Sequence, residues 1–272
     1  RTTGTTPEPM ISASTWPEGP AREVFVDPFA LAATAVTFDA FSDFVSSTGY
    51  RTLAERIGTS FVFFSFCDRD TRFPAPEQAP WWRHVPGACW HAPNGPEISA
   101  KAQGDHPVTH IAREDALAYC RWSGTRLPTE AEWEFAARGP LIAKPFPWGD
   151  ALEQDSIHRS NVWQGTFPTA NSGEDGYKGT APVEAFGPQG FGLFNMTGNV
   201  WEWVMDRFTT LHSPRPVRNP KGPLNGSTCV TKGGSYLCHA SYCARYRTSS
   251  RQSLGDDATT GNLGFRVAAR RA

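Results

Sequence analysis

Two cysteines near the C-terminal end of the chain have the spacing and the chemistry of a soft-metal site. Cys238 and Cys243 are separated by four residues and follow the segment Gly233-Gly234-Ser235, whose glycines favour a turn. Two thiolates that converge on one point hold a soft ion such as Cu(I). The same spacing also permits a local, labile disulfide, and two thiols can simply pack as small hydrophobic groups. Spacing alone leaves these three interpretations open.

Two polar loops have the composition of calcium sites. One carries Asn161 and the later stretch 173–177, Gly-Glu-Asp-Gly-Tyr, and the other is the stretch 195–202, Asn-Met-Thr-Gly-Asn-Val-Trp-Glu. Amide and carboxylate oxygens, together with carbonyls of Gly-containing loops, are the ligands that Ca²⁺ takes. The alternative is Asx-turn chemistry, in which these side chains bond to their own backbone. The residues alone favour that alternative.

The composition indicates a loop-rich protein without a strongly charged partner. The chain has 272 residues with 25 Gly, 23 Pro and 10 Trp, a mixture that helical bundles avoid. Its formal net charge is −1, so no nucleic-acid or membrane partner is expected. No apolar run approaches the length of a membrane span. Six cysteines leave disulfide bonds open, and the redox compartment is undecided.

Short helices and strands must position these residues. Thr37, Thr52 and Thr129 stand where N-caps are expected, and the last two have the spacing of capping boxes. Glycines follow each helical pattern, as is typical of helix C-termini. The expected helices lie at 37–45, 52–57, 113–122 and 129–138, and the clearest strands at 22–26, 200–204 and 264–269.

Two stretches of the N-terminal half differ in composition from the rest of the chain. Residues 1–20 are rich in Thr, Pro and Ser, and we expect a flexible N-terminal arm. Residues 67–108 form a long stretch rich in Pro and Trp, which is usually functional or packed by its own aromatic side chains. No composition break marks a linker after residue 20, so 21–272 is expected to be one domain.

Several motifs resemble, in chain order, the formylglycine-generating enzymes, or sulfatase-modifying factors. They are RLPTEAEWE at 126–134, NVWQG at 161–165, GTAPV at 179–183, GNVWEW at 198–203, GGS at 233–235 and NLGFR at 262–266. The resemblance covers roughly residues 22–269. Many of these motifs occur across the superfamily, including iron-dependent sulfoxide synthases and inactive paralogues. The cysteine pair is the specific part, because it looks like the catalytic copper pair that those relatives lack.

The resemblance implies a fold and an activity. The expected fold is an α+β, loop-rich, C-type-lectin-like domain with little regular structure, which agrees with the composition. The expected protein is a formylglycine-generating-enzyme-like catalytic domain over 21–272. Its expected activity is the oxidation of a cysteine, within a Cys-x-Pro-x-Arg segment of an unfolded sulfatase polypeptide, to Cα-formylglycine. Cu(I) and O₂ are the implied requirements.

The resemblance also implies a role for particular residues. Cys238 and Cys243 would hold copper, and Arg251 and Asn262 would lie near a substrate groove. The oxygen and substrate-sulfur pocket would be lined by Ser235, Tyr242 and Trp201. One calcium ion would take Asn161, the Val162 carbonyl, Asp175 and the Tyr177 carbonyl. A second would take Asn195, the Gly198 and Val200 carbonyls, and Glu202. Both calcium ions are expected to be structural and far from the chemistry.

Departures from the family pattern keep two alternatives open. Cys120 stands where a half-cystine would, but Val267 occupies its partner position, so that bridge should be absent. The segment Thr248–Asp257 differs from the usual family sequence. Two alternatives therefore remain: a copper oxidase of the same fold that acts on another thiol, and a non-catalytic lectin-like binding module. The expected compartment is the cytoplasm in a bacterium and the secretory-pathway lumen in a eukaryote.

Overall fold

The computed structural model describes residues 18–67, 73–96, 104–153 and 156–270. Most of the arm expected at 1–20 therefore lies outside the described residues. Regular structure is sparse within them, and loops connect short elements. The helices are α1 (Phe38–Thr48), α2 (Leu53–Ile57), α3 (Arg113–Ser123) and α4 (Glu130–Arg138). None of these helices is long and apolar enough to cross a membrane.

Helix boundaries follow from local capping chemistry. Thr37 caps α1 by accepting a hydrogen bond from the Ala40 N–H at 3.1 Å. Thr52 and Thr129 open α2 and α4 with complete capping boxes, in which a glutamate three residues later bonds back to the cap. The four expected helices are confirmed to within a few residues at each end.

Twelve short strands are present among the described residues. They are β1 (Val24–Phe25), β2 (Phe29–Leu31), β3 (Thr59–Phe63), β4 (Trp82–Pro86), β5 (Gly165–Thr166), β6 (Ala170–Asn171), β7 (Trp201–Arg207), β8 (Val217–Arg218), β9 (Thr228–Lys232), β10 (Arg251–Gly255), β11 (Leu263–Phe265) and β12 (Ala268–Arg270). The main sheet has the order β10-β9-β7-β11, and the other strands form two-stranded ribbons. β7 is antiparallel to β9 and parallel to β11.

The expected strand at 264–269 is wrong as a single element. It divides into β11 and β12, because the chain between them carries Arg266 into the protein. The Arg266 side chain is fully buried, forms an ion pair with Glu202 at 2.7 Å and donates to the carbonyls of Ala32, Ala33 and Phe194. A residue that turns inward to meet so many partners cannot continue a regular ladder.

The core lies between the main sheet and the first helices. Phe41 and Phe44 from α1 pack against Tyr119 from α3, with ring centroids 5.6–6.0 Å apart. Phe265 on β11 meets the same group from the sheet side. The buried cluster that these rings form also contains Cys238 and Cys243. The cysteine pair is therefore anchored on the core rather than on a free loop.

Candidate active site

A tight turn brings the two cysteines together. The N–H groups of Tyr242, Cys243 and Ala244 all donate to the His239 carbonyl, at 3.0, 3.0 and 3.1 Å. Ahead of that turn, the Cys238 N–H donates to the Ser235 carbonyl at 2.9 Å. Both cysteines are buried, and all six cysteines of the chain are free thiols. The disulfide interpretation of the pair therefore has no support in the structure.

The two thiols differ in acidity because they share one hydrogen bond. The Cys238 thiol donates to the sulfur of Cys243, and this bond holds the pKa of Cys243 below its usual range. Burial, followed by the interaction with Cys243, raises the pKa of Cys238 well above its usual range. Cys243 is therefore the more acidic thiol of the pair. Two soft sulfur donors facing each other in a buried position suit a soft ion.

Ser235 and Asn262 lie beside this pair. The Ser235 hydroxyl is hydrogen-bonded to the Cys238 sulfur and lowers the pKa of that thiol, against the larger effect of burial. Asn262 donates from Nδ2 to Ser235 Oγ at 2.9 Å and accepts from Thr260 Oγ1 at 2.8 Å. The backbone N–H of Trp201 donates to the Asn262 carbonyl at 2.9 Å, and the Trp201 side chain shares the buried cluster with both cysteines. The structure brings these three predicted site residues together around Cys238.

Tyr242 is the exposed member of the site. Its side chain is 50% exposed. The ring stacks on Phe167 with centroids 4.7 Å apart and meets Trp81 edge-on at 4.6 Å. We call Trp81, Phe167 and Tyr242 the aromatic wall. The sequence analysis missed Trp81 and Phe167 as site residues, although the Pro- and Trp-rich composition of 67–108 was the signal for the first of them.

The structure does not bring Arg251 to this site. Its guanidinium forms a bidentate ion pair with Glu130 at 2.7 Å for both hydrogen bonds. It also donates to the Thr209 carbonyl at 2.6 Å, and its side chain is only 3% exposed. Arg251 opens β10, inside the segment 248–257 that departs from the family pattern. These contacts hold Arg251 as a framework residue.

The first candidate calcium loop contains an unsatisfied oxygen. Asn161 is buried, and its Oδ1 has no hydrogen-bond partner. Asp175 lies in the same loop cluster, where its two oxygens accept from the N–H groups of Val162 at 3.2 Å and Tyr177 at 2.9 Å. Burial raises the pKa of Asp175 above its usual range. A half-buried carboxylate and an orphaned amide oxygen are what a hard cation would satisfy.

Gln164 joins the first loop, and the sequence analysis missed it. Its Nε2 donates to the Val162 carbonyl and, at 3.0 Å, to Asp175 Oδ2. The amide N–H groups thus lie between two of the oxygens predicted to bind calcium. Its position two residues after Val162, in the motif NVWQG, was the available signal.

The second candidate loop is built differently. Asn195 Oδ1 is buried without a partner, while its Nδ2 donates to the Val183 carbonyl at 2.9 Å. Both oxygens of Glu202 accept from Arg266, at 2.7 and 2.8 Å, and one also accepts from Trp133 Nε1 at 2.7 Å. The predicted carboxylate ligand already has a buried cation beside it, which the sequence analysis did not foresee.

Asn199 connects the two loops, and the sequence analysis gave it no role. It is 2% exposed, and its Oδ1 accepts from Asn161 Nδ2 at 3.2 Å and from the Ala181 N–H at 2.9 Å. Its own N–H donates to the Asn161 carbonyl at 2.8 Å. A side chain at the preceding Gly198, whose φ is 77°, would collide with that carbonyl. The two loops are therefore one hydrogen-bonded unit.

This unit touches the cysteine segment. Gly198 N–H donates to the Gly233 carbonyl at 2.8 Å, and Tyr236 N–H donates to the Asn199 carbonyl at 3.0 Å. On the other side, Trp163 N–H donates to the Cys238 carbonyl at 3.1 Å. The backbone of the loops therefore supports the segment that carries Cys238, and the expectation that the calcium ions themselves lie far from the chemistry stays a prediction.

Fold and site together define a loop-rich α+β domain with a buried pair of free thiols. The chain belongs to the family described as "Sulfatase-modifying factor enzyme 1-like domain", whose profile matches residues 3–271. The family and the fold class predicted from the sequence are confirmed.

Its relatives carry two kinds of name. A mouse protein named "Formylglycine-generating enzyme" is 51% identical over 255 residues, which are 93% of this chain and 68% of that protein. A protein of the same name from Thermomonospora curvata is 50% identical over 258 residues, 93% of this chain and 85% of that protein. A mouse "Inactive C-alpha-formylglycine-generating enzyme 2" is 40% identical over 259 residues, 92% of this chain and 80% of that protein.

A solved structure supports the fold alone. "Structure of PvdO from Pseudomonas aeruginosa" has a TM-score of 0.68 at 23% identity and covers 97% of this chain and 89% of that chain. Because one relative is named inactive, family membership by itself does not assign the activity. The assignment must also rest on the residues of the site.

Proposed function

We propose that this protein oxidises the cysteine of a Cys-x-Pro-x-Arg segment, in an unfolded sulfatase polypeptide, to Cα-formylglycine with O₂ and Cu(I). The observation that carries the proposal is the buried, hydrogen-bonded pair of Cys238 and Cys243 beside the aromatic wall, whose Tyr242 is exposed. The relatives named formylglycine-generating enzyme, at 50–51% identity over most of the chain, support it. A binding module has no use for two facing thiols at such a position.

The cysteine pair fits copper by the chemistry of its donors. Two sulfurs form a small soft site, whereas among the described residues no group of three or more His, Cys, Asp or Glu side chains could hold a metal ion. Cu(I) bound there would supply a soft acceptor for the substrate thiolate and the electron chemistry of O₂. Overall, the substrate CH₂–SH becomes CH=O with loss of sulfide, while O₂ takes electrons from the substrate and an added thiol reductant.

The residues around the pair have separate tasks. The hydrogen bond between Cys238 and Cys243 lowers the pKa of Cys243, which eases the loss of its proton when a soft ion binds. Ser235, held by Asn262 at 2.9 Å, fixes the direction of Cys238. Trp201 excludes water on the core side, and Tyr242 offers a face on which an extended peptide can lie.

We also propose calcium at both polar loops. Asn161, Asp175 and the carbonyls of Val162 and Tyr177 would hold one ion, with the Gln164 amide turning its Oε1 toward it. Asn195, Glu202 and the carbonyls of Gly198 and Val200 would hold the other. The orphaned Oδ1 atoms of Asn161 and Asn195 support both assignments, because buried amide oxygens rarely lack a partner.

The test is aerobic incubation with Cu(I), a thiol reductant and a Cys-x-Pro-x-Arg peptide, read by mass spectrometry for conversion of the thiol to the aldehyde. Cys238→Ser and Cys243→Ser should each abolish conversion and weaken Cu(I) binding, because a hydroxyl is a poor ligand for a soft ion. Cys67→Ser is the matched control, a buried free thiol outside the site. Turnover retained in either site variant would refute the copper pair.

Peptide variants separate this function from oxidation of another thiol. Replacing Pro or Arg of the motif by Ala should lower kcat/KM at least about tenfold, which corresponds to roughly 1.4 kcal/mol of transition-state binding. Equal rates on all three peptides would favour a less specific thiol oxidase. Cu(I) binding without oxidation of any thiol would favour the binding module.

A further inference from the structure

A second pocket lies directly beside the aromatic wall. It has a volume of ≈180 Å³ and is lined by Phe64, Pro80, Trp81, Arg83 and Pro168. Trp81 belongs to the wall and meets Tyr242 at 4.6 Å, and Pro168 follows the wall residue Phe167. The pocket is therefore continuous with the surface that leads to Cys243. We call it the Arg83 subsite.

Arg83 places a fixed positive charge in this pocket. Its Nη1 donates to the carbonyls of Pro80 at 2.6 Å and Trp82 at 2.9 Å. The guanidinium carbon lies 5.8 Å from the centroid of the Phe64 ring. These contacts hold the side chain in place, but carbonyl dipoles and a ring face do not neutralise a full charge. Within the described parts of the chain, no carboxylate forms an ion pair with Arg83, so the charge faces the pocket uncompensated.

Because both hydrogen bonds use Nη1, the other nitrogens of the Arg83 guanidinium can still donate to a planar, bidentate acceptor. A carboxylate matches that geometry and charge best. The apolar lining from Trp81, Pro168 and Phe64 suits the methylene groups of a Glu or Asp side chain and reduces competition from water.

The charge also sets the direction of the substrate. The motif Cys-x-Pro-x-Arg carries its own guanidinium on the C-terminal side of the cysteine, and two cations repel each other at short range. The motif arginine is therefore directed away from Arg83, and residues before the cysteine lie over the pocket. An extended peptide advances ~3.3 Å per residue. The ring centroids of Tyr242 and Trp81, the wall residue that lines the pocket, are 4.6 Å apart. A peptide that crosses this ring and enters the pocket therefore places roughly its second to fourth residue before the cysteine there.

We propose that the Arg83 subsite binds an acidic side chain located roughly two to four residues before the target cysteine. This inference rests on the proposed function, since it assumes that a peptide thiol is delivered to Cys238 and Cys243. It assigns Arg83 as a specificity-determining residue and predicts that acidic, rather than basic, sequences precede the best substrate cysteines.

The test uses peptides that carry Glu, Gln or Lys at one position, placed in turn two, three or four residues before the cysteine of Cys-x-Pro-x-Arg. At the best position the unaltered enzyme should prefer Glu over Lys by about fivefold or more in kcat/KM. Arg83→Gln should remove the preference and Arg83→Glu should reverse it. Arg121→Glu, at an exposed arginine on α3, controls for the change in net charge. Equal rates for Glu and Lys at every position would overturn the inference.

Binding is measured separately from catalysis. Labelled peptides in which Ser replaces the target cysteine, added without copper, should show the same order of affinity and lose it in high salt. If this order appears while no peptide is oxidised, the subsite stands and the proposed oxidation fails. If all peptides are oxidised but bind equally, the proposed function stands and the subsite is overturned. A preference for Glu only beyond the motif arginine would also overturn it.

Discussion

The two candidate calcium loops differ in the partners that they give to a carboxylate. Both bury an asparagine whose Oδ1 has no partner, Asn161 in one loop and Asn195 in the other. In the first loop, the carboxylate of Asp175 meets only amide N–H groups among its described hydrogen-bond partners. In the second, Glu202 is bound on both oxygens by the buried guanidinium of Arg266.

The difference shows which of the two loops needs a cation to balance the charge of its carboxylate. A half-buried carboxylate whose described hydrogen-bond donors are neutral gains a counter-charge from a calcium ion. A carboxylate already paired with a guanidinium gains less from a second cation. We therefore expect calcium to dominate the stability of the first loop and the Glu202–Arg266 ion pair to dominate that of the second.

The largest effect should come from removing Glu202. Glu202→Ala leaves Arg266 charged and buried, which typically costs about 3–5 kcal/mol of unfolding free energy. The loss should be nearly the same in calcium and in chelator, and it is measured by denaturant unfolding in both. The exposed Glu184→Ala is the control. A loss confined to the calcium-loaded protein would mean that Glu202 acts chiefly as a calcium ligand.

Asp175→Asn should act through calcium alone. An ion at 100 times its Kd stabilises a native protein by about 2.7 kcal/mol. Chelation should therefore lower the Tm of the unaltered protein, whereas in Asp175→Asn the Tm difference between calcium and chelator should shrink sharply. Glu174→Gln, the exposed neighbouring residue, should leave that difference intact. An equal Tm difference in all three proteins would remove Asp175 from the calcium site.

Asn199 tests whether the loops and the cysteines are coupled. Asn199→Asp removes the Nδ2 donor to the Ala181 carbonyl and keeps the size of the side chain. We expect a loss of about 1–3 kcal/mol, since a buried acceptor is left unpaired. Cu(I) affinity, measured by competition with a chelating dye, should fall as well, because the Asn199 carbonyl accepts from Tyr236 N–H, two residues before Cys238. An unchanged Cu(I) affinity in a destabilised variant would show that the loops support the fold only.

The sequence was a good guide where the causes are local. Capping at Thr37, Thr52 and Thr129 involves partners three residues away, so the pattern itself contains the interaction. The turn that joins Cys238 to Cys243 is equally local. Gln164 apart, the wrong or missing assignments concern pairs distant in the chain. Arg251 meets Glu130 across 121 residues, and no spacing rule can predict that contact.

The same limit explains the aromatic wall and the second loop. Trp81 and Tyr242 are brought together only by the packing of two irregular segments, and the ion pair of Glu202 with Arg266 depends on how β7 and β11 align. Residue types at these positions are compatible with several partners. The packing of distant segments determines which partner is in contact. That contact determines whether a carboxylate is a metal ligand or part of a structural ion pair.

Asp206 offers the most selective test of the comparison. It lies on β7 four residues after Glu202, but its described hydrogen bond is to the Glu130 N–H at 2.8 Å rather than to a guanidinium. The nearby charges are Glu130, Glu132 and Arg251, and Arg251 is already bound to Glu130. Burial raises the pKa of Asp206 to about 7.

The sign of the pH effect follows from proton binding. Between the ordinary pKa of an aspartate and a pKa of about 7, the folded protein binds more protons at Asp206 than the unfolded chain does. Stability should therefore fall as pH rises through that window. The side chain of Asp206→Asn cannot ionise. The unfolding free energy of this variant minus that of the unaltered protein should therefore increase from about pH 5 to about pH 8, as measured by urea unfolding. The exposed Asp43→Asn should show no such gain. If Asp206→Asn tracked the unaltered protein at both pH values, the lack of a guanidinium partner would have no energetic consequence at this carboxylate.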